Sequence, residues 1–268
     1  MSRHKSRRDL PQRTEKPEPR GRKSGGDVWI FGLHAVAAAL ANPERRPKRL
    51  LLTQEAFEAL GGALADTPHA IQPSPAERRD IEAVLGPNAV HQGAALLAPP
   101  LPGAQIEDIP ESLADGGPKP KRALIVALDQ VTDPHNIGAV LRSAAAFGAL
   151  AVVVPDRHAP EETGTIAKAA CGALETVPLV RVPNFARALD ALKQQGYWCL
   201  GLDGAADKTL ADQDLPDRLV LVLGAEGAGL RRLSREACDF AARLPIRPAM
   251  ESLNVSNACA IALYALLA

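Results

Sequence analysis

Ala123-Leu124-Ile125-Val126-Ala127-Leu128 runs without a polar side chain into Asp129-Gln130-Val131-Thr132-Asp133-Pro134. A strand with one wet face alternates polar and apolar residues, so an unbroken apolar run predicts a strand covered on both faces. The theme returns at 150–154, 177–182, 197–202 and 219–223. Helical stretches separate most of these runs, at 134–148, 164–173, 184–195 and 230–238. Such alternation predicts an α/β fold in which helices cover both faces of a parallel sheet, here filling 123–268. Ligands of these sheets bind beyond the carboxyl ends of the strands. The residues that follow each run are therefore the ones to read for chemistry.

Three segments stand out there. In the first, Asp133 followed by Pro134 is a helix start, an N-capping carboxylate with proline in the first turn. Ile137, Val140, Leu141, Ala144 and Gly148 then follow the helical period and face the core. Arg142 lies about 100° from Leu141, on one flank of that stripe, and Asn136 lies on the other. Spacing alone does not unite them, and read alone they are a surface arginine and a first-turn amide. In the second segment the strand at 219–223 breaks into Gly224-Ala225-Glu226-Gly227-Ala228-Gly229. Glycines allow a ligand close to bare backbone amides, and Glu226 is a single carboxylate framed by them. The loop is not a G-x-G-x-x-G fingerprint, and it comes after the last long apolar run instead of the first. An adenosyl or nucleotide ligand fits it; a dinucleotide does not. The third segment, Leu244-Pro245-Ile246-Arg247-Pro248-Ala249-Met250-Glu251-Ser252-Leu253-Asn254-Val255-Ser256-Asn257, leads into a helix over 258–268. One N-cap suffices, yet Ser252, Asn254, Ser256 and Asn257 offer four small polar side chains. That surplus suits the orientation of a hydroxyl-bearing substrate. The helix itself is apolar nearly all round, which predicts burial in a core or a subunit interface.

Upstream, 27–98 reads as a small α/β unit of about 70 residues. It should hold a strand from Val28, a helix over 34–41, a strand over 49–53, helices over 55–60 and 75–85, and a strand over 94–98. Residues 99–122 form a proline-rich linker, in which Pro99, Pro100, Pro102, Pro110, Pro118 and Pro120 stiffen the chain and keep it out of a sheet. The formal charge of zero conceals an asymmetry. Residues 1–26 hold nine Lys/Arg against three acids, so the remainder carries six more acids than bases. A disordered basic arm of this kind either meets a polyanion or merely solubilises the chain. Aromatic residues make up only 3% of the chain, so the core must rest on Ala, Val, Leu and Ile. Cys171, Cys199, Cys238 and Cys259 are scattered and form no C-x-x-C pair, which points to buried thiols in a reducing cytoplasm and to no metal site. No apolar run is long enough to predict a membrane span.

The three segments together resemble the SPOUT superfamily of RNA methyltransferases, in its TrmH branch. The match lies in D-x-V-x-D-P-x-N-x-G-x-x-x-R (129–142), G-x-E-G-x-G (224–229) and E-S-L-N-V-S (251–256). Ile30-Phe31-Gly32-Leu33-His34-Ala35-Val36 is also similar to the start of that family's small RNA-binding domain, which is like ribosomal protein L30e.

The resemblance implies a C-terminal trefoil knot and a homodimer built around it. It implies S-adenosylmethionine as cofactor, held by Leu223, Gly224, Gly227, Leu244, Ile246 and Leu253. It also implies methyl transfer to a ribose 2′-hydroxyl of structured RNA, with a guanosine of 23S ribosomal RNA first and transfer RNA second. Arg142 would act on the hydroxyl, either as a base or as a clamp on a phosphate and the developing alkoxide. Asn136, Glu226, Ser252 and Asn254 would position Arg142 and the ribose. Where the family carries I-P-M-x-G, this chain has Leu244-Pro245-Ile246-Arg247-Pro248, and Pro248 alters the cofactor loop. The rival expectation is a non-catalytic RNA-binding or assembly factor on the same fold.

Overall fold

The computed structural model describes residues 26–112, 120–157, 159–247 and 249–267. The basic arm up to residue 25, part of the linker and Pro248 lie outside the described residues.

The first half comprises β1 (Val28–Phe31), α1 (Leu33–Ala41), β2 (Arg49–Leu52), α2 (Gln54–Ala59), α3 (Gly61–Ala65), β3 (Pro73–Pro75), α4 (Arg78–Leu85) and β4 (Ala94–Ala98). Its sheet has the order β1-β4-β2-β3, with β4 antiparallel to both neighbours and β3 parallel to β2. Two differences from the sequence reading share one cause. Pro73 and Pro75 argue against a strand, yet an edge strand tolerates prolines because it leaves donors unused. The helix expected from 75 therefore starts at Arg78, after Glu77, whose backbone N–H donates to the Asp80 carboxylate at 2.8 Å.

The second half comprises β5 (Ala123–Asp129), α5 (Pro134–Phe147), β6 (Ala151–Pro155), α6 (Gly164–Ala170), β7 (Leu179–Val182), α7 (Phe185–Gln194), β8 (Trp198–Leu202), β9 (Arg218–Gly224), α8 (Arg232–Glu236), β10 (Phe240–Ala242) and α9 (Val255–Leu267). The strands form one parallel sheet of order β10-β8-β9-β5-β6-β7. β5 shows why the apolar runs are unbroken. Leu124, Val126 and Leu128 enter the core under α5, α6 and α9, while Ile125 and Ala127 enter the core under α7, and all five are fully buried.

Three boundaries correct the expected ones. The helix expected over 164–173 ends at Ala170, because Cys171 (φ 51°) and Gly172 (φ 98°) turn left-handed before a 3-10 turn at Ala173–Glu175. The three-residue β10 was too short for any periodicity to announce. The last helix starts at Val255, and one side of it, with Ile261 and Tyr264, is exposed in the single chain.

The two halves share a continuous core. Ile30, Val36 and Leu40 belong to the same apolar cluster as Leu141 and Ile166. At the seam α6 presses on β1 so closely that a Cβ on Gly164 would stand 2.1 Å from the Trp29 carbonyl oxygen. Arg45, fully buried, crosses the same seam. It meets Glu175 and Glu162 at 2.7 Å each and donates to the Pro99 carbonyl at 3.2 Å. The described linker stays out of both sheets, as its prolines require, but it is not a free spacer. Its Ile106 and Ile109 pack on the core that carries α7. Among the described residues no helix is long and apolar enough to cross a membrane. All four cysteines are free.

Candidate active site

Three loops meet beyond the carboxyl ends of β5, β9 and β10. The first leaves β5 at Asp129 and enters α5 through Asp133, whose carboxylate accepts from the His135 backbone N–H at 2.9 Å. This cap, with Pro134 in the first turn, fixes where α5 starts and hence where Asn136 sits.

The second loop leaves β9 at Gly224 and folds back on itself. Ala225 and Gly229 form a bridge, and the Gly229 N–H donates to the Ala225 carbonyl at 2.9 Å. A Cβ on Gly224 would lie 2.0 Å from the Gly229 carbonyl carbon. Glycine is thus demanded at 224 by the loop's own closure. Gly227 (φ 75°) differs: its backbone is left-handed, and the space beside its Cα is open.

The third loop runs from the sheet edge at β10 back to α9, which packs against α5, β9 and the 3-10 turn Leu210–Asp212. Asn254 ends the loop and caps α9. Its Oδ1 accepts from the backbone N–H groups of Ser256 at 2.9 Å and Asn257 at 3.4 Å. That cap leaves Nδ2 to face the other two loops.

There it donates to Glu226 Oε1 at 2.6 Å and to Asn136 Oδ1 at 3.0 Å. Asn136 Nδ2 donates to the same Glu226 oxygen at 3.1 Å, and the Val255 N–H does so at 3.4 Å. One carboxylate oxygen therefore gathers all three loops, from residues 90 and 118 positions away from Asn136 in sequence. Nothing in the described contacts engages Oε2.

Arg142 and Ser252 are not part of this cluster. Arg142 is exposed on α5, about 9 Å along the axis from Asn136, and none of the described hydrogen bonds or ion pairs engages it. Ser252 is exposed on the third loop. Of the residues expected around a cofactor, Leu223 is buried, Leu244 and Leu253 are half-buried, and Ile246 is 39% exposed. Met250, on the same loop, is 62% exposed.

Sequence reasoning missed the partner of Asp129. Arg231 donates to this fully buried carboxylate through Nε at 2.7 Å, Nη2 at 2.6 Å and its backbone N–H at 3.1 Å. An acid ending a wholly apolar strand was the available signal, since a buried charge requires a partner.

The pattern of the SpoU rRNA Methylase family matches residues 123–264. A 23S rRNA (guanosine-2'-O-)-methyltransferase RlmB of Pseudomonas aeruginosa is 42% identical over 243 residues, covering 89% of this chain and 95% of that protein. Its namesake in Escherichia coli K12 is 41% identical over 245 residues, covering 88% and 96%. The SpoU methyltransferase AviRb from Streptomyces viridochromogenes, solved in complex with the cofactor AdoMet, superposes with a TM-score of 0.71. That pair is 24% identical and covers 89% of this chain and 88% of the other. At that identity the likeness speaks to the fold alone.

Proposed function

The chain belongs to the SpoU rRNA Methylase family, and from that premise we propose that it transfers a methyl group from S-adenosylmethionine to the ribose 2′-hydroxyl of a guanosine in 23S rRNA. The observation that carries this reading is the convergence of Asn136, Glu226 and Asn254 from three separate loops onto one carboxylate oxygen.

The surroundings fit the cofactor. Gly227 leaves open space beside its backbone, while Ile246 and Met250 offer uncovered apolar side chains on the neighbouring loop. Leu223, Gly224, Gly227, Leu244, Ile246 and Leu253 are the residues that would hold it. Bound there, it supplies an electrophilic methyl group on a sulfonium. What the chain itself must do is align and exclude water. Glu226, tied down through Oε1, holds Asn136 and Asn254 in fixed orientations toward the sugar. Arg142, unpaired among the described contacts, is free to meet the RNA, either taking the hydroxyl proton or stabilising the developing alkoxide. Ser252 orients the same ribose.

In this reading 27–98 is the RNA-binding domain, of ribosomal-protein L30e type, 99–122 joins it to the methyltransferase domain at 123–268, and 1–26 is a basic arm for RNA. The third loop completes a trefoil knot. Ile261 and Tyr264, exposed apolar side chains on α9, are covered in a homodimer. The protein acts in the cytoplasm on its ribosomal substrate.

The test combines unmodified 23S rRNA with S-adenosylmethionine and maps 2′-O-methyl groups. Arg142→Ala is expected to abolish transfer while cofactor affinity, read by calorimetry, stays near that of the unaltered protein. Transfer surviving the change would remove Arg142 from the chemistry. An unaltered protein that neither binds the cofactor nor methylates RNA would leave a non-catalytic RNA-binding factor in its stead.

A further inference from the structure

A second concave feature lies next to the site, at the carboxyl ends of β5, β6 and β7. It is a cleft of about 560 Å³ whose polar lining is Gln130, Arg157, Asn184, Arg231, Arg232 and Ser234. Among the described residues no carboxylate lines it.

The three guanidinium groups are held differently. Arg231 commits Nε and Nη2 to Asp129, which fixes its position and leaves Nη1 over. Arg232 pairs with Glu236 one turn along, but both side chains are largely exposed, at 75% and 57%. Such exposed pairs are weak and yield readily to a better anion. Arg157 is exposed, and none of the described hydrogen bonds or ion pairs engages it. Asn184 spends its side-chain oxygen on the Arg187 N–H at 3.1 Å, which leaves its amide hydrogens to donate. Donors and cations without an acid select an anion, and the planar arginine fork matches phosphate oxygens. All three arginines are exposed, so the cleft suits a phosphate carried on a chain.

Its position narrows the partner further. Gln130 follows Asp129 directly, and Arg231 follows the glycine loop that carries Glu226. Arg231 thus lines the cleft while its anchor, Asp129, opens the loop that leads to Asn136. We propose that this cleft binds the phosphodiester backbone of the RNA flanking the target nucleotide. The inference rests on the function proposed above. It adds a contact surface, distinct from the residues that hold the cofactor and ribose, through which the catalytic half itself grips the RNA.

The experiment measures binding of unmodified 23S rRNA across a salt series, with the double variant Arg157→Ala and Arg232→Ala beside the unaltered protein. Each phosphate contact contributes about one unit to the slope of log affinity against log salt, so the variant should be shallower by about two. In methyl transfer the loss should fall on KM for RNA more than on kcat. Replacing both arginines by lysine should restore most of the slope. An unchanged slope and KM overturn the proposal. Should the double variant fold poorly, judged by its S-adenosylmethionine affinity, Arg157→Ala alone is used. Its expected loss is about one unit of slope, and no loss overturns the proposal. Inorganic phosphate, titrated at constant ionic strength, should displace RNA no better than chloride; saturable displacement would make this a site for a small free anion and also overturn it. If the unaltered protein methylates another RNA, the slopes are read on that RNA. In that case the choice of 23S rRNA has failed while the cleft is still judged on its own result.

Discussion

Arg231 closes on Asp129 from 102 residues away, placing three N–H donors on a carboxylate with no exposed surface. The pair ties the loop before Asn136 to the loop that carries Glu226. Truncating Arg231 to alanine strands the charge of Asp129. Breaking a fully buried pair costs about 3–5 kcal/mol, but Arg231 is 49% exposed, so water relieves part of that. We expect Arg231→Ala to lower stability by about 2 kcal/mol in urea unfolding, and Arg231→Lys by less. A midpoint equal to that of the unaltered protein would mean that the pair holds nothing together.

Gly224 and Gly227 sit in one loop and should respond by different amounts to the same change. At 224 a methyl group would meet the Gly229 carbonyl carbon at 2.0 Å and its oxygen at 2.2 Å, both backbone atoms that cannot swing aside. Gly224→Ala must open the loop, with a cost of about 3 kcal/mol and loss of cofactor binding. At 227 only the left-handed backbone objects, and Gly227→Ala should cost about 1 kcal/mol. Thermal unfolding and cofactor calorimetry on both variants check the contrast; equal effects would contradict it.

Arg45 supports a third prediction, about the seam between the two halves. Burial works against its charge, yet the carboxylates of Glu175 and Glu162 outweigh that and raise its pKa. The guanidinium stays charged throughout any practical pH range. Arg45→Met keeps much of the volume but leaves Glu175, whose side chain is 4% exposed, without its cation. The expected loss is about 3–5 kcal/mol. Adding Glu175→Gln to it should recover part of the loss, which a double-mutant cycle in urea would read.

How much of this was legible in the chain follows physical lines. Unbroken apolar runs announced β5 and β9 because burial on both faces leaves no polar position to break the pattern. Asp133-Pro134 fixed the start of α5 because a cap is local chemistry. Asn136, Glu226 and Asn254 stood out through their motifs, and all three meet. Periodicity could not announce β3 or β10, which are three residues each and borrow their order from a neighbour. Nor could it pair Asp129 with Arg231 or Arg45 with Glu175, since those partners are chosen by the sheet order and by the docking of the two halves. Arg142 and Ser252 were read from motif alone, and none of the described hydrogen bonds or ion pairs engages their side chains.

His91 gives the first half of the chain a pH response whose sign follows from one hydrogen bond. Its side chain is 5% exposed, and Nδ1 accepts from the Gly93 backbone N–H at 3.1 Å, so that nitrogen carries no proton in the folded chain. Burial pushes its pKa below 6.5; Glu82 partly opposes this and Arg78 adds to it. Between the folded and unfolded pKa values the unfolded chain therefore binds more protons, and stability rises with pH. The contribution is complete above the unfolded value and is lost as pH falls through the folded one. His91→Asn keeps an acceptor near the Nδ1 position but does not titrate. Urea unfolding at about pH 7 and about pH 5 should show a larger loss of stability in the unaltered protein than in this variant, the difference belonging to His91. Equal losses would mean that the protonation of His91 is not what makes the stability of the folded chain depend on pH in this range.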